Sequence, residues 1–165
     1  MKMYRHKSAV LFPGLLALLF LTLGGVAFGQ DVTEQNKELV RRIYEEVFTN
    51  GDVSVNEEIM SPDFVDHEEG APEDMAEGIQ MLHTAFPDFK ATIDDMVAEG
   101  DTVAVRGTWS GTHEGDFMGI PATGNSFSIQ IFDFMRIEDG LIVEHWGITD
   151  IASMMMQLGI EPPSE

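Results

Sequence analysis

The sequence contains no cysteine and has few basic residues. Without cysteine the chain can form no disulfide bond and carries no thiol for a lipid anchor. Nine Lys and Arg stand against 29 Asp and Glu, which gives a formal net charge of −20 at pH 7. Such a surface repels nucleic acid and anionic lipid, so neither is expected as a partner. The acidity is typical of a highly soluble protein, and an acidic docking surface is the alternative.

Several signatures of catalysis are also missing. Residues 111–124 are rich in glycine, but they lack the Gly-Lys-Ser/Thr ending and the following helix of a phosphate-binding loop. No dinucleotide-binding fingerprint and no Ser, His and Asp order typical of a hydrolase is present. No internal repeat occurs, and 165 residues suffice for one domain with a proper core.

The first 29 residues differ from the rest and have the features of a secretory signal peptide. A basic start precedes an apolar run from Ala9 to Leu23, and Ala27-Phe28-Gly29 offers the small residues that a signal peptidase reads. We expect cleavage after Gly29, export to the periplasm or the medium, and no membrane contact afterwards. An uncleaved membrane anchor is the alternative. The domain at 30–165 would carry six basic and 29 acidic residues, a net charge of −23.

The remaining sequence predicts helices followed by strands. Apolar residues at helical spacing predict a helix from Thr33 to about Thr49, a short helix capped by Ser54, a third opened by Pro72, and a last one from Ile151 to Leu158. Alternating patterns predict a strand in "PDFVDHEE" and four consecutive antiparallel strands after Pro87: "FKATIDDMVAEGD", "TVAVRGTWSGTH", "FSIQIFDFMRI" and "LIVEHWGITD". This order favours an α+β fold with helices on one side of a curved sheet.

Five stretches together resemble the SnoaL-like polyketide cyclases of the NTF2-like superfamily. They are "LVRRIYEEVFTNGD", "FVDHE", "AFPDFKATIDDMVAEGDTVAVRGTWSGTHEGDFMGIPATG", "FDFMRIEDGLIVEHWGITD" and "MQLG", which cover nearly all of residues 36–160. The resemblance implies an α+β cone, in which a mostly antiparallel sheet wraps around N-terminal helices and encloses a pocket. It also implies a homodimer, and an intramolecular aldol closure that uses an aspartate as acid/base without metal or cofactor.

Asp150 is the candidate catalytic residue. It follows the last strand and precedes the last helix, where a carboxylate could cap the helix or point into the pocket. Apolar neighbours would raise its pKa into a range useful for proton transfer. The resemblance adds that Asp150, in the "HW" then "D" pattern, looks like the acid/base aspartate of the family.

Strict alternation in "EHWGITD" places Trp146 and Asp150 on one face and His145 on the other. We expect Trp146 beside Asp150 in the pocket wall. His145 is either a pocket residue or a residue of the outer face or a dimer contact, and the second interpretation is slightly favoured.

Five further residues are candidates for the pocket. No metal site is expected in "DHEE", because neighbouring side chains in a strand diverge. His67 lies in the "FVDH" segment that resembles the cavity-lining strand of the family, and the apolar members of the glycine-rich connection should cover the pocket mouth. His83, on the third helix, could instead lie at the edge of the core. Arg106, in a strand, could instead form a salt bridge. The candidates are His67, His83, His113, Arg106 and Phe117.

Three functions fit this sequence. The first is a cofactor-independent cyclase, isomerase or hydrolase that acts through Asp150. The second is an exported binder of a small apolar molecule that uses the same pocket without chemistry. The third is a dimeric interaction protein.

Overall fold

The structure is a computed structural model that describes residues 22–68, 70, 72 and 74–160, with the side chains of residues 22–31 excepted. The predicted signal peptide therefore falls largely outside the described residues. No helix in the described part of the chain is long and apolar enough to cross a membrane.

The N-terminal helix is longer than predicted and changes its geometry near its end. Helix α1 spans Thr22–Arg42 and continues as a π-helix over Ile43–Thr49. The predicted end at Thr49 is confirmed, but the predicted start at Thr33 is wrong, because the backbone is helical on both sides of this residue. In a π-helix each N–H bonds to the carbonyl five residues earlier, so this segment holds more residues in each turn than α1 does.

The other helices are short and most have side-chain caps. A 3₁₀ turn at Val53–Val55 precedes α2 (Asn56–Ile59); Asp52, not Ser54, accepts the capping hydrogen bond. Helix α3 spans Met75–Ala85 and starts three residues after Pro72, because Asp74 accepts hydrogen bonds from Ala76 N and Glu77 N.

Helix α4 (Ile151–Leu158) ends at Gly159, whose φ of 75° is readily adopted only by glycine.

Five strands form one sheet in the order β1-β5-β4-β3-β2. The four C-terminal strands pair antiparallel with their sequence neighbours, as predicted, and β1 joins the edge of β5 in parallel. The strands are β1 (Met60–Asp66), β2 (Lys90–Glu99), β3 (Thr102–Thr112), β4 (Ser126–Glu138) and β5 (Leu141–Thr149).

The core lies between the inner face of this curved sheet and the helices. Strand β4 alternates strictly between buried and exposed residues, so a single face supplies Phe127, Ile129, Ile131 and Met135 to the core. The N-terminal helix contributes Val40, Ile43 and Val47 to the same core, and all three are nearly inaccessible to solvent. The predicted α+β cone, with a mostly antiparallel sheet around helices, is confirmed. One end of this cone remains hollow.

Candidate functional site

The hollow end of the cone is a cavity of about 410 Å³ with a mainly apolar lining. Helix α3 forms one wall, the inner face of β4 and β5 forms the floor, and the connection between β3 and β4 contributes to the cover. Aliphatic, methionine and aromatic side chains dominate, as is usual for sites that bind small organic molecules. They include Ile43, Phe48, Phe64, Met75, Ile79, Met81, Leu82, Trp109, Phe117, Met118, Met135, Ile142 and Ile151.

Four ionisable side chains face this apolar space: Asp66, Glu68, Asp133 and His145. Asp66 ends β1, Asp133 lies in β4, and His145 lies in β5 between these two strands. Asp66 is the direct register partner of His145 in the parallel pair, and Asp133 is opposite Gly147 in the antiparallel pair. Residues from distant parts of the sequence thus meet because three adjacent strands point them to the same face.

His145 bridges two carboxylates. Its Nδ1 lies 3.0 Å from Asp66 Oδ1 and its Nε2 lies 3.2 Å from Asp133 Oδ1. Burial alone would lower the pKa of the imidazole, but the hydrogen bonds and charges of Asp133 and Asp66 outweigh burial and raise the pKa to about 10. His145 is therefore an imidazolium at neutral pH and donates both of its ring protons to aspartates. With no lone pair free, it cannot act as a general base there.

The carboxylate of Asp66 is held in place by one of its two oxygens. Oδ1 accepts hydrogen bonds from His145 and, at 2.9 Å, from Glu68 N. Burial raises the pKa of this carboxyl, but those hydrogen bonds and the charges of His145 and His67 outweigh it and hold the pKa below its ordinary value. Asp66 lines the cavity, and within the described residues its Oδ2 has no hydrogen-bond partner, so one oxygen of an oriented carboxylate is uncommitted.

Beneath the cavity the polar chain continues to Tyr44 in the π-helix. The Tyr44 hydroxyl donates a hydrogen bond to Asp133 Oδ2, and both residues are buried. Burial and the charge of Asp133 raise the pKa of this phenol, which therefore stays neutral. Gly107 makes room for the ring, since a Cβ there would lie 3.3 Å from Tyr44 Cε1 and only 2.7 Å from the Thr92 carbonyl oxygen. Tyr44, Asp133, His145 and Asp66 form one hydrogen-bonded chain from the core to the cavity.

Glu68 is placed differently from the other acids. Its carboxylate is partly exposed, lines the cavity and has no hydrogen-bond or ion-pair partner among the described residues. Its side chain lies against the backbone of β5, where a Cβ on Gly147 would come within 2.7 Å of Glu68 Oε2. A side chain at position 147 would have to displace this carboxylate, so the glycine permits the close approach.

Asp150 does not occupy the predicted position. Its side chain is exposed, is absent from the cavity lining, and caps α4 by accepting hydrogen bonds from Ser153 N at 2.9 Å and Ser153 Oγ at 2.6 Å. These hydrogen bonds lower the pKa of the carboxyl, whereas we predicted that burial raises it. The physical reason is that the helix N-terminus, and not an apolar pocket, surrounds the carboxylate.

The two faces of β5 are also reversed relative to the prediction. Alternation does separate Trp146 from His145, but the histidine side faces the cavity and the tryptophan side faces outward. Trp146 pairs across the sheet with the exposed Phe134 and stacks on His67, with ring centroids 4.7 Å apart and an angle of 8° between the planes. His67, whose Nε2 lies 3.6 Å from Glu144 Oε2, is therefore on the outer face and not in the pocket.

Of the remaining candidates, only Phe117 lines the cavity. His83 is bound through Nε2 to the Phe48 carbonyl oxygen at 2.8 Å, outside the lining. His113 is fully buried beside Phe86 and is absent from the cavity lining. Arg106 faces outward and forms ion pairs with two neighbouring aspartates of β2. A salt bridge, the alternative given for this arginine, is what the structure has.

Sequence reasoning missed Asp66, Glu68, Asp133 and Tyr44. One signal was present for Asp133, because it shares the parity of Ile131 and Met135 and is the lone carboxylate in that apolar row. Asp66 and Glu68 lie in the "DHEE" segment, where the sequence indicated only that a metal site is absent. Within the described residues, no group of three or more His, Asp and Glu side chains is arranged to hold a metal ion.

Comparison with known proteins gives the same fold and a family. Residues 38–158 match the SnoaL-like polyketide cyclase family. The aklanonic acid methyl ester cyclase DnrD of Streptomyces peucetius is 32% identical over 130 residues, which cover 74% of this chain and 89% of that protein.

Two solved structures are similar over their whole length. AclR of Streptomyces galilaeus, a candidate hydroxylase, is 31% identical with a TM-score of 0.71, covering 79% of this chain and 99% of that one. IdmH of Streptomyces antibioticus, a candidate polyketide cyclase, is 37% identical with a TM-score of 0.67, covering 76% and 99%. The chain belongs to the SnoaL-like polyketide cyclase family and has the NTF2-like fold.

Proposed function

We propose that the protein is a cofactor-independent cyclase that closes a ring in a small apolar carbonyl compound, with Asp66 as the acid/base. The observation that carries the proposal is that Asp66 lines an apolar cavity with one carboxylate oxygen held by His145 and the other without a partner among the described residues. An oriented carboxylate in an apolar cavity is the arrangement that proton abstraction next to a carbonyl requires.

The reaction needs one proton carrier and no redox partner. Asp66 Oδ2 takes a proton from the carbon next to a carbonyl, which leaves an enolate. The enolate carbon forms a bond to a second carbonyl carbon, whose C=O π electrons become an alkoxide. The alkoxide recovers the proton from Asp66, so the product is an isomer of the substrate. The imidazolium of His145 holds Asp66 in its carboxylate form between turnovers.

The test compares Asp66→Asn with Asp150→Asn, using aklanonic acid methyl ester, the compound named for the cyclase DnrD. Loss of a general acid/base should lower kcat by about a hundredfold or more in the Asp66 variant. Asp150→Asn should keep the turnover of the parent, because asparagine caps a helix about as well as aspartate. Retained turnover in Asp66→Asn, or its loss in Asp150→Asn, would contradict the proposal.

A binder without chemistry is the second candidate, and the low pKa of Asp66 favours it, because a weakly basic carboxylate is a poor proton acceptor. The methionines of the lining, Met75, Met81, Met118 and Met135, suit an adaptable apolar site in either case. A binder would take up the ester with the same affinity in parent and Asp66→Asn and would convert it in neither.

Export and pairing complete the proposal. The basic start, the apolar run and Ala27-Phe28-Gly29 support cleavage after Gly29 and a protein that works outside the cytoplasm. The outer face of the sheet supports a homodimer, since large apolar side chains are exposed there in a row. We name this surface the outer apolar face, and its members are Val97, Phe132, Phe134, Trp146 and Ile148.

A further inference from the structure

The charges around the cavity are unbalanced. Three carboxylates, those of Asp66, Glu68 and Asp133, face it, against the single imidazolium of His145. No lysine or arginine is among its described lining residues. Both ring N–H groups of His145 are already committed to aspartates at 3.0 and 3.2 Å, so this one cation offers no proton to a ligand.

The basic residues nearest along the strands are also committed elsewhere. Arg106 is paired with Asp94 and Asp95, and Arg136 is paired with Glu138 and Glu144. A carboxylate that entered the cavity would therefore lose its water without gaining a cation. It would also lie in an apolar medium near Glu68, the one cavity acid without a partner among the described residues, where repulsion between like charges is strong.

We propose that Glu68 makes the cavity selective against anionic compounds, so that a compound with a free carboxylate binds more weakly than an uncharged compound of the same shape. This inference rests on the proposed function, because it assigns a specificity-determining residue to the same cavity. Glu68 is a specificity-determining residue here, distinct from Asp66, whose oxygen faces the reacting carbon. Rejection by an unpaired charge is a common route to specificity in buried sites.

The experiment measures the binding of a matched pair of probes by isothermal titration calorimetry. The probes are 2-acetylnaphthalene and 2-naphthoate, which have the same ring system and differ by a methyl group in place of a charged oxygen. At about pH 7.5 the acid is fully ionised. We expect the ketone to bind at least about tenfold more tightly than the carboxylate.

Two variants separate the role of Glu68 from the overall charge. Glu68→Gln should raise the affinity for 2-naphthoate and reduce the ratio of the two dissociation constants at least about threefold, with the affinity for the ketone nearly unchanged. Glu99→Gln removes the same charge from an exposed position at the end of β2, outside the lining, and should leave the ratio as in the parent.

Several results would overturn the proposal. These are equal binding of the two probes by the parent, no binding of the ketone, an unchanged ratio in Glu68→Gln, or the same reduction in both variants. The outcome is independent of the turnover test. A cavity can reject anions without being catalytic, and Asp66→Asn can abolish turnover in a cavity that has no preference for charge.

Discussion

At the scale of single residues, the charged state of His145 makes stability depend on pH. Its pKa in the folded protein is about 10, above the 6.5 of an unperturbed imidazole. A raised pKa means that the stabilisation is fully present below about pH 6.5 and is lost as the pH rises through 10. We expect the free energy of unfolding to fall by on the order of 3 kcal/mol across this window.

Urea unfolding at both ends of the window measures the effect. His145→Gln lacks the titrating group, so its stability should fall less between the two pH values, although it starts lower because two carboxylates lose their partner. Equal losses in parent and variant would show that other groups cause the pH dependence. The lowered pKa of Asp66 acts at the acidic end: its contribution is present above the unfolded value of 3.8 and is lost as the pH falls below it.

At the scale of elements, Gly107 tests how β3 supports the site. A Cβ at this position would lie 2.7 Å from the Thr92 carbonyl oxygen and 2.9 Å from Ile131 Cδ1, so the strand pair or Tyr44 would have to shift. We expect Gly107→Ala to lower the free energy of unfolding by about 1–3 kcal/mol, as overpacking usually does.

Ser110→Ala, at a partly exposed position of the same strand, adds no atom to the side chain, so it is the matched control and should change the free energy of unfolding by less than about 0.5 kcal/mol. Chemical denaturation of both variants measures the difference. A neutral Gly107→Ala would mean that the ring of Tyr44 does not need this space.

The elements also show how far the sequence could predict this site. Periodicity identified each C-terminal strand and its pairing, because alternation and turn signals are local properties. It could not decide which face of β5 points inward, since a tryptophan and a histidine on opposite faces are both compatible with a core. That choice depends on the neighbours across the sheet: Trp146 lies opposite the outward Phe134, while His145 lies opposite the inward Met135.

The contact between Asp66 and His145, which lie 79 positions apart in the sequence, could not be predicted from local sequence patterns for the same reason. It needs the parallel attachment of β1 to β5, and no short-range signal encodes that pairing. The predicted pocket position of Asp150 was wrong because a strand ends and a helix starts on either side of this residue, and both positions suit a carboxylate. The local signal for an N-cap was correct, whereas the pocket position, predicted from the strand end, the shared face with Trp146 and the resemblance, was wrong.

At the scale of the whole molecule, the outer apolar face predicts a homodimer. Register pairs connect Val97, Ala104, Phe134 and Trp146 in one row across four strands, and Phe134 is 52% exposed. An exposed patch of this kind marks an interaction surface. Light scattering at about micromolar concentration should give twice the mass of the mature chain, because association removes these apolar side chains from water.

Phe134→Ser should shift the protein towards the monomer, because it removes an aromatic ring from the centre of the patch. Met156→Ser, at a residue that is 67% exposed on α4 and is not part of the outer apolar face, is the control and should leave the mass of the dimer unchanged. A parent protein that is monomeric at every concentration would contradict the prediction.

Export is the second expectation for the whole molecule. N-terminal sequencing of the protein isolated from its native cells should give a chain that begins near Gln30, because the peptidase reads the small residues before it. A soluble cytoplasmic protein that retains Met1 would contradict export.

The cavity has a floor and a cover of different construction, and this difference bears on how long a bound molecule stays. The floor consists of adjacent hydrogen-bonded strands, whereas Phe117 and Met118 of the cover come from a connection in which Met118 has a φ of 55° and is mostly exposed. Loop segments open with much smaller free energies than sheet centres do. Residence time should therefore depend on the connection and chemical selectivity on the strands, so the two properties can change separately as the sequence diverges.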